Sequence, residues 1–345
     1  MSGFDVVSIG RGKPGQVTEW VSRQQLSSVD DALVLAPELA MLVDGGVTAP
    51  GALLDVWEAL ATLGSSDLAL ARALEPHLDA ATILRQAGMA NAMPEWRDGT
   101  WGVFAAEGGN DPLRAEEQAS GWRLTGTKPW CSLAGRLDYA LVTAHVEGDE
   151  RALFALDLRD HGVEVTTGEW HARGLAEIVS SSIRLADVAA IPIGQPGWYL
   201  ERPGFDIGGI GVAACWFGGA VGVARALFAS DGPDGGALNA MHLGAVDLAI
   251  ENARLSLADA ADRVEAGIDG AEAKLLAKRV RGTVARTVDE VLWRAAHALG
   301  PAPLAQDEAH AKRVADLALY VRQHHAERDD ESLGRLIRRG GSWPW

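Results

Sequence analysis

In this chain of 345 residues, the side chains best suited to chemistry lie in Gly121-Trp-Arg-Leu-Thr-Gly-Thr-Lys-Pro-Trp-Cys-Ser-Leu-Ala134. Trp122 and Leu124 alternate with Arg123 and Thr125, the period of two that marks a half-buried strand. Gly126 and Pro129 punctuate the run, and Trp130 presents a flat ring two residues before the hydroxyl of Ser132. A second alternating run, Tyr139 to His145, follows a short turn. An isoalloxazine ring needs a flat apolar surface against its face and hydrogen-bond donors at its edge. The segment offers both and is read as one wall of a flavin pocket.

The elements that must position this wall fall into three regions. Residues 1–95 read as helical: Leu53, Trp57, Leu60 and Ala61 make one apolar face between Pro50, which suits a first turn, and Gly64, which suits a stop. Ser65-Ser66-Asp67 offers capping side chains for a further helix, which Pro76 should kink or interrupt. Residues 96–204 change texture. Short runs near 102–106, 122–127, 139–145, 152–157, 163–167 and 181–185, separated by turn signals, predict an antiparallel sheet pair or barrel. Residues 205–345 return to helix, with segments near 206–229, 238–266, 271–299 and 307–328 and stops at Gly267 and Gly300-Pro301. Four helices with short links predict an up-and-down bundle. The expected fold is α+β and mostly α: an N-terminal helical domain, a central antiparallel β-domain and a C-terminal four-helix bundle. The tail Gly340-Gly-Ser-Trp-Pro-Trp345 is apolar, and Trp343 or Trp345 is expected to pack into a neighbouring domain or subunit.

Composition narrows the function. A formal net charge of −16 argues against nucleic acid and anionic membrane as partners. The two cysteines, Cys131 and Cys215, supply neither a disulfide framework nor a metal cluster. The N-terminus lacks the charged and apolar regions of a signal peptide, and no window approaches about 18 uninterrupted apolar residues, so a cytoplasmic protein without a membrane span is expected. The most hydrophobic stretch, Ile207 to Phe228, is rich in Gly and Ala and suits a tightly packed core helix.

The order helix, strand, helix around Leu124-Thr-Gly-Thr-Lys-Pro-Trp130 resembles the acyl-CoA dehydrogenase superfamily. Arg136 to Ala144, Gly174-Leu175, Ser180 to Val188, Ile191-Pro192, Leu54 to Leu60 and Ser66 to Leu70 extend the resemblance over nearly the whole chain. It implies FAD held between the β-domain and the bundle, across the interface of a homodimer or dimer of dimers. It also implies that Trp130 packs near the flavin ring and that Ser132 bonds flavin N5, with Cys131 between them. Val103, Ala105 and Ala106, with Gly109 and Asn110, match the preceding strand and loop that contact the flavin and its phosphates, Ala106 replacing the usual Thr. His324 falls where it could face the flavin or the subunit interface.

Three departures bear on activity. The family's catalytic Glu-Gly-Thr falls, counting from Arg313, at Arg322-Gln323-His324, which holds no carboxylate. Members that carry the base on the first bundle helix have no counterpart in Val212-Ala-Ala-Cys-Trp216, Asp206 lies about two turns too early, and Glu327 lies some 140° round an ideal helix. The Arg-x-x-Phe-Gly that reaches the partner's FAD is replaced by Asp231 to Gly236, and Gly-Gly-x-Gly by Gly300-Pro-Ala-Pro303. The resemblance therefore implies an FAD-binding oxidoreductase acting on the CH–CH bond of an acyl-CoA or similar acyl thioester, its base absent or displaced. Two alternatives stand beside it. One is a flavin-dependent monooxygenase on the same fold, which needs no α-proton base; the other is a non-catalytic, flavin-poor scaffold. His324 and His325, about 100° apart on a helix, are not expected to share a metal. His77 is open between the acyl cavity and a core or capping role. Lys274, Lys278, Arg279 and Arg281 read as a solvated helix face.

Overall fold

The computed structural model describes residues 3–46, 49–89, 98–108, 111–202, 204–230 and 236–341. Four helices open the chain: α1 (Gln16–Ser22), α2 (Val29–Gly46), α3 (Ala52–Ser66) and α4 (Leu68–Gln86). Only Asp67 separates α3 from α4. Its extended backbone breaks the helix, and its carboxylate caps α4 by accepting from the Ala69 N–H. Gly64 is not the expected stop. It lies inside α3, where a Cβ would come 2.7 Å from the Cys215 carbonyl oxygen, so the missing side chain serves close approach between helices. Pro76 does not interrupt α4, which runs on to Gln86. Packing of α4 against α2, the β-domain and the bundle outweighs the backbone hydrogen bond that proline removes.

The central domain contains β1 (Trp101–Phe104), β2 (Arg114–Gln118), β3 (Gly121–Ser132), β4 (Tyr139–His145), β5 (Arg151–Asp157), β6 (Val163–Val165) and β7 (Ser180–Ile193). Strands β4, β2, β3, β7 and β5 follow one another, and β5 returns to β4, closing a barrel; β1 joins β4, and β6 joins β7. Most pairings are antiparallel as expected, but β1 and β2 run parallel to β4. The strand β2 has no counterpart among the predicted runs. Its sequence Arg-Ala-Glu-Glu-Gln buries only Ala115, so pairing to β3 rather than side-chain pattern defines it. Leu124, Ile183, Leu185 and Val188 fill the interior, and the Trp122 ring packs on Phe154 at 5.2 Å.

The chain then runs through α5 (Trp198–Glu201), α6 (Gly204–Ala229), α7 (Ala237–Glu265), α8 (Gly270–Leu299), α9 (Ala302–Gln306), α10 (Glu308–Tyr320) and α11 (Glu327–Arg339). By length and composition α6 could cross a membrane, but 67% of its most apolar window is buried against the rest of the protein, as a core helix. It docks on α3 through Gly218 and Gly222, where a Cβ would overlap carbonyl oxygens of Ala61 and Ser65. The fourth bundle helix, expected to reach residue 328, ends at Tyr320. A 3₁₀ turn, Val321–Gln323, follows, and Ala326 adopts φ 47° before α11 begins. Burial of Tyr320, Val321 and His324 draws the chain inward there, whereas no described residue of α11 is buried. Helix-wheel angles computed from Arg322 to Glu327 therefore do not apply. Trp343 and Trp345 lie outside the described residues, as do Gly109, Asn110 and residues 231–235.

Candidate active site

The end of β3 forms a ledge. The β3–β7 register slips between Lys128 and Cys131, and Trp130 takes a left-handed backbone, φ 60°. That conformation strains a residue with a side chain. It throws the indole outward, 63% exposed, while Cys131 and Ser132 turn in. Lys128 anchors the strand beneath. Its buried Nζ donates to Glu107 Oε1 at 2.9 Å and to Thr143 Oγ1 at 2.8 Å, and His145 Nε2 lies 3.1 Å from Glu107 Oε2. Burial pushes the Lys128 ammonium below its usual range. Burial also pushes the Glu107 carboxyl up, but the bonds from Lys128, His145 and Thr143 outweigh it and hold that group below the carboxylate range.

The chain leaving β1 forms the other side of the ledge. Residues 105–108 belong to neither strand nor helix, and a Cβ at Gly108 would lie 3.9 Å from Pro129 Cγ. Val103, Ala105 and Ala106 are half-buried, and Val103 shares a small recess with Ser132. Ser132 Oγ lies 2.7 Å from Ser180 Oγ and accepts from Arg72 Nη2 at 2.9 Å. Cys131 contributes only main chain to this surface: its Sγ points at the Lys128 carbonyl, and burial pushes the thiol up to about 12. A flavin fits these residues. An exposed indole would meet a ring face, main-chain groups outside the sheet ladder would face the phosphates, and one hydroxyl would stand at the ring edge.

A cavity of about 310 Å³ lies between α4, α5, α6, α8 and the break after Tyr320. Lys278 and Arg281 line it instead of lying on a solvated face, because they border the buried stripe of Ala277, Val280 and Val284 on α8. Asp206 also reaches it, from the first turn of α6. Arg202 pairs with Asp79 at 3.4 Å and with Gln86 Oε1 at 2.8 Å. Arg281 donates to the carbonyls of Gly209 at 2.6 Å and Gln323 at 3.3 Å, with its guanidinium 4.8 Å from the Trp216 ring centre. Glu75 accepts no hydrogen bond among the described residues. Burial pushes its carboxyl up to about 7, Arg72 and Arg281 pulling it down and Asp79 pushing it up.

The break delivers His324 into this cavity, 8% exposed. Its Nδ1 accepts from the Ala326 N–H at 3.2 Å, so the neutral ring carries its proton on Nε2, 3.8 Å from Asp329 Oδ2. Burial pushes the imidazole down, against Asp329, and it is neutral at pH 7. His325 points away, 66% exposed. His77 lies outside the cavity: its Nδ1 accepts from the Trp101 N–H at 3.1 Å and pins α4 to β1. The sequence reading passed over Arg72, Glu75 and Asp79. Their spacing of three and four residues sets three charges on one side of a helix otherwise rich in buried Leu and Ala, and that was the available signal.

No protein-family model matches the chain, and no curated protein matches it. Solved structures match along most of its length. TdsC from Paenibacillus sp. A11-2, a dibenzothiophene monooxygenase solved with FMN and indole, superposes with a TM-score of 0.75 over 95% of this chain and 97% of that one, at 15% identity. KijD3, solved with FMN and dTDP-3-amino-2,3,6-trideoxy-4-keto-3-methyl-D-glucose, gives 0.71 over 91% and 92%, at 17% identity. Butyryl-CoA dehydrogenase from Megasphaera elsdenii gives 0.77 over 90% and 89%, also at 17% identity. The protein has the fold of the acyl-CoA dehydrogenase superfamily of flavoenzymes.

Proposed function

We propose that the protein is a flavin-dependent monooxygenase that binds FMN and acts on a small polar substrate in the cavity. The observation that carries this reading is His324. Where a dehydrogenase of this fold needs a carboxylate to take a proton from carbon, the turn after Tyr320 presents a buried, neutral imidazole. Reduced flavin, when bound, supplies the two electrons that split O₂, one oxygen entering the substrate and the other leaving as water. Trp130 backs the ring, Ser132 meets its edge, and His324 offers Nε2–H inside the cavity. The FMN-bound structures of TdsC and KijD3 support the reading. So do the seven charged residues among the fourteen that line the cavity.

The region expected at the adenine end of FAD supports FMN. Pro301 and Pro303 open α9 where the family has a glycine-rich turn, and neither has an N–H to give a phosphate. A homodimer belongs to the same reading, supported by exposed Leu248 and Leu255 on α7; sedimentation that gives a monomer counts against it.

One observation favours dehydrogenation of an acyl thioester with FAD as a second reading: Glu75 is a cavity carboxyl titrating near 7, a range suited to a displaced base. The two readings separate experimentally. Purified protein with FMN, a flavin reductase, NADH and ¹⁸O₂ is offered a panel of sulfur, nitrogen and aromatic compounds, and incorporation of ¹⁸O is expected. Anaerobic bleaching of bound flavin by an acyl-CoA, lost in Glu75→Gln, would replace this reading by the second. Failure to take up either flavin overturns both.

A further inference from the structure

Arg72 interrupts an apolar run on α4: Leu68 to Ala71, Ala73 and Leu74 are buried on either side of it. A guanidinium in such company costs stability unless its donors are used. Nη2 reaches across to the β-domain and donates to Ser132 Oγ at 2.9 Å. Nη1 is buried without a described partner, and the guanidinium lies 5.8 Å from the Tyr320 ring centre. Glu75, one turn on, is pushed by burial up to about 7, so it answers that charge only in part at neutral pH. Holding α4 to the β-domain does not account for the arginine, because the His77 ring already makes that junction with the Trp101 N–H.

The Ser132 hydroxyl is equally constrained. Two left-handed residues, Trp130 at φ 60° and Leu133 at φ 61°, bracket it, and the β3–β7 register sets it opposite Ser180. The two hydroxyl oxygens lie 2.7 Å apart, and Ser180 Oγ donates its proton to the Ile178 carbonyl at 2.9 Å. A guanidinium cannot accept, so Arg72 occupies a lone pair of Ser132 and leaves the serine proton to be given elsewhere. That proton goes to Ser180 Oγ, or to an acceptor on the ledge, with Ser180 then turning its own O–H onto Ser132. We propose that Arg72 is a positioning residue for the flavin: through Ser132 it fixes that hydroxyl as a polarised donor toward the flavin edge and so raises the reduction potential of the bound flavin. The proposal rests on the ledge holding a flavin, which the oxygenase and dehydrogenase readings share. A donor backed by a cation is stronger than a lone hydroxyl. Drawing electron density from the ring edge makes the flavin take up electrons more readily.

The test is the reduction potential of FMN bound to the full chain, read anaerobically by equilibration with reference dyes. Arg72→Gln and Arg72→Met are expected to lower the potential by about 30 mV or more, a tenfold loss of preference for reduced over oxidised flavin. Arg72→Lys, which keeps a charged donor, should recover at least half of the loss. Ser132→Ala should lower the potential as well, and adding Arg72→Gln to it should have less than half the effect that Arg72→Gln has alone. An unchanged potential in flavin-bound Arg72→Gln and Arg72→Met overturns the proposal. An undiminished effect of Arg72→Gln in the absence of Ser132 also overturns it, since the arginine would then act as a distant charge. Ser132→Ala at the wild-type potential overturns it whether or not the arginine variants fold. No turnover is measured, so a failure here leaves the ¹⁸O assay standing. The expected shifts in a protein that incorporates no ¹⁸O would overturn the oxygenase reading alone, and a chain that takes up neither FMN nor FAD overturns all three.

Discussion

At the scale of the residue, Trp130 and Glu75 carry the most weight. The indole of Trp130 is exposed and supports nothing in the fold, so Trp130→Ala should leave Tm within a degree or two while weakening FMN binding about tenfold, given stacking worth about 1 kcal/mol or more. Flavin fluorescence titration and thermal melts check both halves. For Glu75 burial pushes the carboxyl up to about 7, above the ordinary 4.5 of a glutamate. The folded chain therefore binds a proton more readily than the unfolded chain between those values, and the advantage is lost as pH rises through 7. Glu75→Gln should match the wild type near pH 4 and be more stable at pH 8, by on the order of 1–3 kcal/mol, in denaturant melts at the two pH values. The ledge was legible because Gly-Thr-Lys-Pro-Trp-Cys-Ser couples a strand period to a turn. The cavity was not, since Glu75 and Asp79 on α4, Arg281 on α8 and His324 in the break converge only through packing.

At the scale of the element, two features differ from what periodicity implied. The α3–α6 crossing depends on missing side chains, and Gly218→Ala would force a Cβ into the Ala61 carbonyl. The helices must separate, so a loss of about 2 kcal/mol or more is expected, seen as a lowered Tm. The break after Tyr320 holds Ala326 at φ 47°, ψ −115°, a region glycine tolerates far better. Ala326→Gly should raise Tm slightly or leave it unchanged; a marked fall would mean the turn is held by something other than its own backbone. The apolar period announced α6, α7 and α8 to within a few residues. It ran straight through residues 320–327 because nothing local forbids helix there, and only the inward pull of Tyr320, Val321 and His324 ends it. The edge-poor sequence of β2 hid that strand for the same reason: its pairing is tertiary.

At the scale of the whole molecule, α4 is the common support. It meets β1 through His77, the ledge through Arg72 and the cavity through Glu75 and Asp79. Burial pushes His77 down to about 4, from the ordinary 6.5 of a histidine. Between those values the unfolded chain binds a proton that the folded chain refuses, so falling pH favours unfolding, by up to about 3 kcal/mol. His77→Asn, which can still accept from the Trp101 N–H, should flatten the acid side of the stability profile measured from pH 7 to 4. The three-region architecture was readable from the order of patterns, because each region buries its core with a different period. How the regions lock together was not, since Gly64 and Gly218 act by what they lack.

The inward turn of Cys131 has a chemical meaning of its own. A flavin that meets oxygen leaks hydrogen peroxide, and peroxide attacks thiolates. Cys131 sits next to the ledge, yet the residue is 1% exposed and its thiol is pushed up to about 12; Cys215 is wholly buried. Neither offers a thiolate at neutral pH. Under the oxygenase reading proposed above the protein would withstand its own by-product, and it should keep both thiols through prolonged exposure to air without a reducing agent.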